Sequence, residues 1–199
     1  MTADAERLVG PENRGPWPLT TGLAQAELRR YLDATADPAL GARRSLCPDW
    51  TVRQVTAHLA ATFARFAGQL AKSRGGDFSA PFAPGELAAE NSRAVADSGG
   101  DPRAALRAAA GRFLAMVADP AEPMAHQRGP VPVALQVLFG LNELAVHHYD
   151  VTAPFGPGYR PPDPVLAALA QMHERIGGLP PGDDVWDRIL RRTGRNGGA

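Results

Sequence analysis

Apolar side chains recur three and four positions apart along most of this chain, the spacing of one helical face, and no stretch alternates as a half-buried strand would. From Thr21, TGLAQAELRRYLDAT sets Leu23, Ala24, Leu28, Tyr31 and Leu32 on one side, and Asp37-Pro38 closes the pattern. CPDWTVRQVTAHLAATFARFAGQLAKS opens on a Pro-Asp turn, offers Asp49 or Thr51 as N-cap, and runs from Val52 to Ala67 without glycine or proline. Val52, Val55, Leu59, Phe63 and Phe66 form its core stripe, with His58 and Thr62 beside it. Glu86 to Asp97 reads as a helix stopped by Gly99-Gly100, and a clearer one runs from Pro102 through LRAAAGRFLAMVAD to Asp119-Pro120.

Residues 120–132 read as irregular. VPVALQVLFGLNELAVHHYDVTAPF is the longest and most apolar pattern, which predicts a central buried helix. DPVLAALAQMHERIGGL and DDVWDRILRRTGR supply two shorter helices, each beginning with acid and ending near glycine. Residues 1–20, interrupted by prolines, are expected to be an irregular arm pinned by Trp17, and residues 21–199 one domain. The predicted fold is all-α: a four-helix bundle with an up-down core and accessory helices.

Lys plus Arg number 21 and Asp plus Glu 21, so the formal net charge is zero and no segment concentrates basic residues. Nucleic acid is therefore not an expected partner. Apolar runs such as Val131 to Leu141 fall short of the roughly 20 residues that span a bilayer, and MTADAERLVG lacks an apolar signal core. No membrane partner and a cytoplasmic location are expected. The single cysteine, Cys47, excludes an intrachain disulfide and reads as a small buried apolar group rather than a nucleophile. A homodimer is compatible with a bundle of this size, although no exposed stripe points to one.

Glu143 and His147 lie four apart on the most apolar helix, so they share a face one turn apart. A buried unpaired carboxylate there would cost several kcal/mol unless it met a cation or a proton. His58, mid-helix on another amphipathic segment, supplies a facing donor, and two imidazoles with one carboxylate make an open three-ligand metal site. Zinc is the first choice, and nickel or iron suits the same donors. Lone helical histidines are more often core or surface residues, and His126 and His173 are read so.

His148 projects about 100° away from His147. It is expected as a neighbour of the ligands or a substrate-facing group, and with Tyr149 as an acid or base near the metal. Trp50 and Arg53 are candidates for shaping the entrance of a cofactor-binding pocket. Asp150 could accept the outward ring N–H of His147 or cap the helix end.

CPDWTVRQVTAHLA, NELAVHHYDV and the closing WDRILRRTGR occur in that order within Leu23 to Arg195. Together they resemble the N-terminal domain of mycothiol-dependent maleylpyruvate isomerase-like proteins, within the DinB-like metalloenzymes. The resemblance implies that His58, Glu143 and His147 bind a divalent metal. It also implies that the metal activates a low-molecular-weight thiol, mycothiol or a relative, toward a small electrophilic substrate. Maleylpyruvate isomerases proper carry a further C-terminal domain, whereas this sequence ends at Ala199 just after the closing motif, so a different substrate is expected. The expected function is S-transfer to, or isomerisation of, a small electrophile. A hydrolase or lyase with metal-activated water, and a non-catalytic binding protein, stand as alternatives.

Overall fold

The computed structural model describes residues 16–83, 86–96 and 100–195, so most of the predicted arm lies outside the described residues. Seven α-helices follow one another: α1 (Thr21–Ala34), α2 (Val52–Arg74), α3 (Glu86–Ala96), α4 (Pro102–Met116), α5 (Val133–Thr152), α6 (Asp163–Ile176) and α7 (Val185–Arg192). The all-α reading holds. One departure is a two-residue antiparallel pairing of Pro123–Met124 with Val131–Pro132, inside the stretch read as irregular. Strands this short carry no alternation to detect.

Of the two N-cap candidates, Thr51 caps α2: its side chain accepts from the Gln54 backbone N–H, and the Gln54 side chain accepts from the Thr51 N–H in return. Asp49 instead adopts φ 64, the left-handed conformation that turns the chain between Cys47 and Trp50. The Leu46 N–H donates to the Asp150 carbonyl at 2.9 Å, which fastens this turn to α5.

The core is a ring of four helices in which α2 packs on α4 and α5, and α1 packs on the same two from the other side. Chain neighbours α1 and α2 therefore sit across a diagonal, joined through the core by Tyr31 Oη and Thr56 Oγ1 at 2.9 Å. Phe63, Phe66 and Phe113 interlock at the α2–α4 face with ring centroids 5.5–6.2 Å apart. Gly140 lets α5 approach them, since a Cβ there would stand 3.0 Å from the Phe63 ring. α3 lies on α2, α6 on α5, and α7 on α6. Trp17 is buried beneath the Arg175 guanidinium, 3.5 Å from its ring centroid. No helix among the described residues is long and apolar enough to cross a membrane.

Phe63 is fully buried, so Phe63→Ala should cost about 3–5 kcal/mol in urea denaturation, while Leu46→Ala at a surface site should change stability by less than about 0.5 kcal/mol. His173 is buried against Asn142, 2.9 Å away, and burial lowers its pKa to about 4. Between about 6.5 and 4 the unfolded chain takes up a proton that the folded chain refuses, so stability falls as pH falls through that window. His173→Gln should flatten this dependence by close to one proton, about 1.4 kcal/mol per pH unit, in denaturation curves taken across it.

Candidate metal centre

Three donor atoms converge where α2 meets α5. His58 Nε2 lies 3.4 Å from Glu143 Oε2, and His147 Nε2 lies 3.5 Å from the same oxygen. Ligands held about 2.0–2.1 Å from a tetrahedral zinc stand roughly 3.3 Å apart, so these side chains are already spaced as ligands of one ion. The two imidazoles meet edge to face at 5.1 Å, and the Trp50 indole tilts against His58 at 5.2 Å.

Burial holds the His58 imidazole below its ordinary pKa, which favours the neutral form that a metal needs. For Glu143, burial opposes charge, but hydrogen bonds from His147 and His58 hold its carboxyl well below the usual carboxylate range. Glu143 is less buried than the apolar run around it suggests: 34% of its side chain is exposed. α5 is buried nearly all round, yet a cavity of about 610 Å³ opens onto the turn that carries Glu143.

His147 is oriented from behind. Its Nδ1–H donates to Asp150 Oδ2 at 2.8 Å, which leaves Nε2 facing Glu143 and His58. Arg195 grips the same carboxylate with two N–H groups, Nη2 to Oδ2 at 2.6 Å and Nε to Oδ1 at 3.1 Å. Although Asp150 is completely buried, these bonds from His147 and Arg195 bring its pKa down to about 2. Of the two roles foreseen for Asp150, the structure realises the one that orients the ring.

Residues 21–152 match the family model of the mycothiol maleylpyruvate isomerase N-terminal domain. The chain belongs to this family. Neither a curated protein nor a solved structure matches it. The matched stretch of this mycothiol maleylpyruvate isomerase-type domain contains α1 to α5, and with them His58, Glu143, His147 and Asp150. Arg195, which completes the grip on Asp150, comes from beyond it.

Trp50 lines the same cavity as the three donors. Arg53 does not: it is exposed, donates to the Gly100 carbonyl, and borders a separate cavity of about 250 Å³. His148 and Tyr149 do not line the donor cavity either, which corrects the acid or base role foreseen for them beside the metal. His148 Nδ1–H donates to Glu27 Oε1 at 3.1 Å and its ring stacks on Tyr159 at 3.6 Å. Tyr149 meets Trp186 edge-on at 6.3 Å. Successive helical residues turn by about 100°, so neighbours of His147 point at α1 and α7 instead. His126, stacked on Phe139 at 5.4 Å, also lines the cavity, although it was read as an ordinary core or surface histidine.

Cys47 is half-buried at the cavity wall rather than in the core. Its Sγ–H donates to Asp150 Oδ2 at 3.2 Å, and Sγ lies 3.6 Å from His147 Nδ1. Arg195 and Cys47 were missed because each acts through Asp150, across 45 and 103 positions of chain.

Removing the Arg195 guanidinium leaves Asp150 buried with one cationic partner fewer. Arg195→Ala should therefore lower stability by about 2–4 kcal/mol in chemical denaturation. Arg195→Lys should recover only part of the loss, because an ammonium cannot fork across both carboxylate oxygens.

Proposed function

We propose that this chain is a divalent-metal-dependent enzyme that uses a low-molecular-weight thiol of the mycothiol type for S-transfer to, or isomerisation of, a small electrophilic metabolite. The observation that carries the reading is the convergence of His58 Nε2, Glu143 Oε2 and His147 Nε2 on one point at the wall of an open cavity, in a domain of this family. Zinc is the metal that the donor set fits first, with nickel or iron next.

When bound, the metal would act as a Lewis acid that lets a thiol lose its proton near neutral pH. The chain's own residues set the stage for this. Asp150 and Arg195 fix the His147 ring, so that its Nε2 needs no reorganisation to serve as a ligand. Trp50, Phe66 and Phe139 give the cavity apolar walls that exclude water and hold the carbon framework of a bound molecule. With three protein ligands, the metal would have a further coordination position for a thiol or water.

The test is elemental analysis of protein purified without added metal, beside His58→Ala and Glu143→Ala. About one zinc, nickel or iron per chain is expected in the parent and loss of most of it in both variants. Metal-loaded protein should then gain thermal stability with a small thiol, and metal-free protein should not. A parent chain that neither carries metal nor takes up added zinc would refute the proposal, and turnover of a substrate without thiol would favour metal-activated water.

A further inference from the structure

Arg65 lies two helical turns along α2 from His58, roughly 10 Å along the axis, and lines the same cavity. Its guanidinium is half-buried, donates to Thr62 Oγ1 at 3.2 Å, and sits 5.1 Å from the centroid of the Phe82 ring. Among the described residues it forms no salt bridge. Glu143 and Glu90 are the acidic groups whose fields reach it, but neither stands at ion-pair distance, and Glu90 is held by Arg93 at 2.6 Å. A cation lodged in a cavity wall without a carboxylate partner invites an anion from the cavity itself.

Gln136, on α5, makes the same demand in neutral form. It lines the cavity, is 1% exposed, and its side-chain oxygen is buried with no hydrogen-bond partner. Such an acceptor wants a donor. Gln69, one turn beyond Arg65, adds a further polar side chain to this end of the cavity. The cavity thus has a donor cluster suited to a metal, and two helical turns away from it lie Arg65, seven positions after His58 on α2, and Gln136, seven positions before Glu143 on α5, with Gln69, Phe66 and Phe139 also in the cavity walls.

We propose that Arg65 anchors a carboxylate on the small molecule that fills this cavity, and that Gln136 accepts a hydrogen bond from a hydroxyl or amide N–H of the same molecule. The ligand class is an organic anion whose carboxylate lies a few bonds from the group that reaches the metal. This deepens the proposed function and rests on the cavity being its reaction site. The carboxylate belongs either to the thiol or to the electrophile, and the experiment separates the two.

Cobalt(II)-loaded protein is titrated with mercaptohexanoate and with mercaptohexanol, following the thiolate-to-cobalt absorption band. Phenylbutyrate and phenylbutyramide are titrated by NMR against metal-free protein and against the cobalt–mercaptohexanol complex. At least one carboxylate should bind about 10-fold or more tightly than its uncharged partner. Arg65→Ala should abolish that preference without changing cobalt uptake or mercaptohexanol affinity, and Arg65→Lys should retain part of it. Preference confined to the mercapto pair assigns the carboxylate to the thiol, and preference for phenylbutyrate assigns it to the electrophile. Equal binding of charged and uncharged partners in every arm, or a preference that survives in Arg65→Ala, overturns the proposal. If Arg65→Ala fails to fold, Arg65→Gln decides in its place. Failure of cobalt to bind sinks the metal reading alone, because the metal-free arm still reports on Arg65.

Discussion

A buried carboxylate has to be matched by positive charge and hydrogen bonds, and at Asp150 that demand ties together segments far apart in the chain. Arg195 reaches in from beyond α7, Cys47 from the turn before α2, and His147 from the preceding turn of α5. The Asp150 backbone joins as well, accepting from Leu46. Without this carboxylate the His147 ring would have no fixed tautomer, the turn bearing Cys47 and Trp50 would lose an attachment, and the chain after α7 would lose its anchor. The geometry of the donors depends on a carboxylate that meets only the Nδ1 side of His147 and none of the three donor atoms.

Three carboxylates on or against α5 show how burial sorts their roles. Glu27 and Asp150 are both inaccessible, and each is fully engaged: Glu27 by His148, Arg30 and the Tyr159 hydroxyl, Asp150 by His147 and Arg195. Glu143 differs. Among the described residues its side-chain partners are the two imidazoles alone, at 3.4 and 3.5 Å, and part of its side chain faces the cavity. These are long, weak hydrogen bonds on a partly accessible carboxylate, and their spacing also fits groups arranged around a shared point. The engaged pair builds the frame, and the loosely held one is left for chemistry.

Much of this was legible in sequence. The spacing of Val52, Val55, Leu59, Phe63 and Phe66 gave α2, and the apolar run around NELAVHHYDV gave α5, because helical burial leaves a periodic trace. The same periodicity put Glu143 and His147 on one face. It could not say which way adjacent residues look once tertiary neighbours are chosen, so His148 and Tyr149 were drawn toward the donors although α1 and Trp186 claim them. Arg53 was misplaced for a related reason: it follows Trp50 by three positions in sequence, but the start of α2 turns its side chain toward Gly100. Arg65 left no local signal, and Arg195 stood only as the last residue of the closing WDRILRRTGR, with nothing to name its partner. An arginine reads as surface charge until the fold brings a buried carboxylate or an empty cavity wall beside it.

The shape of the cavity bears on what a metal here would activate. Activating water needs room for little more than one molecule, whose share of liquid volume is about 30 Å³. A space of about 610 Å³ with apolar rings along it is far larger than that requirement. Large apolar-walled volumes beside a donor cluster stay wet at a cost, and that cost falls when an organic molecule displaces the water. A reaction in which the metal's own partner is an organic group, such as a thiol with a carbon framework, uses both features at once. A reaction with water as the partner leaves the volume to the electrophile alone. The walls of the cavity, more than the three donors, set which organic molecule can reach the site.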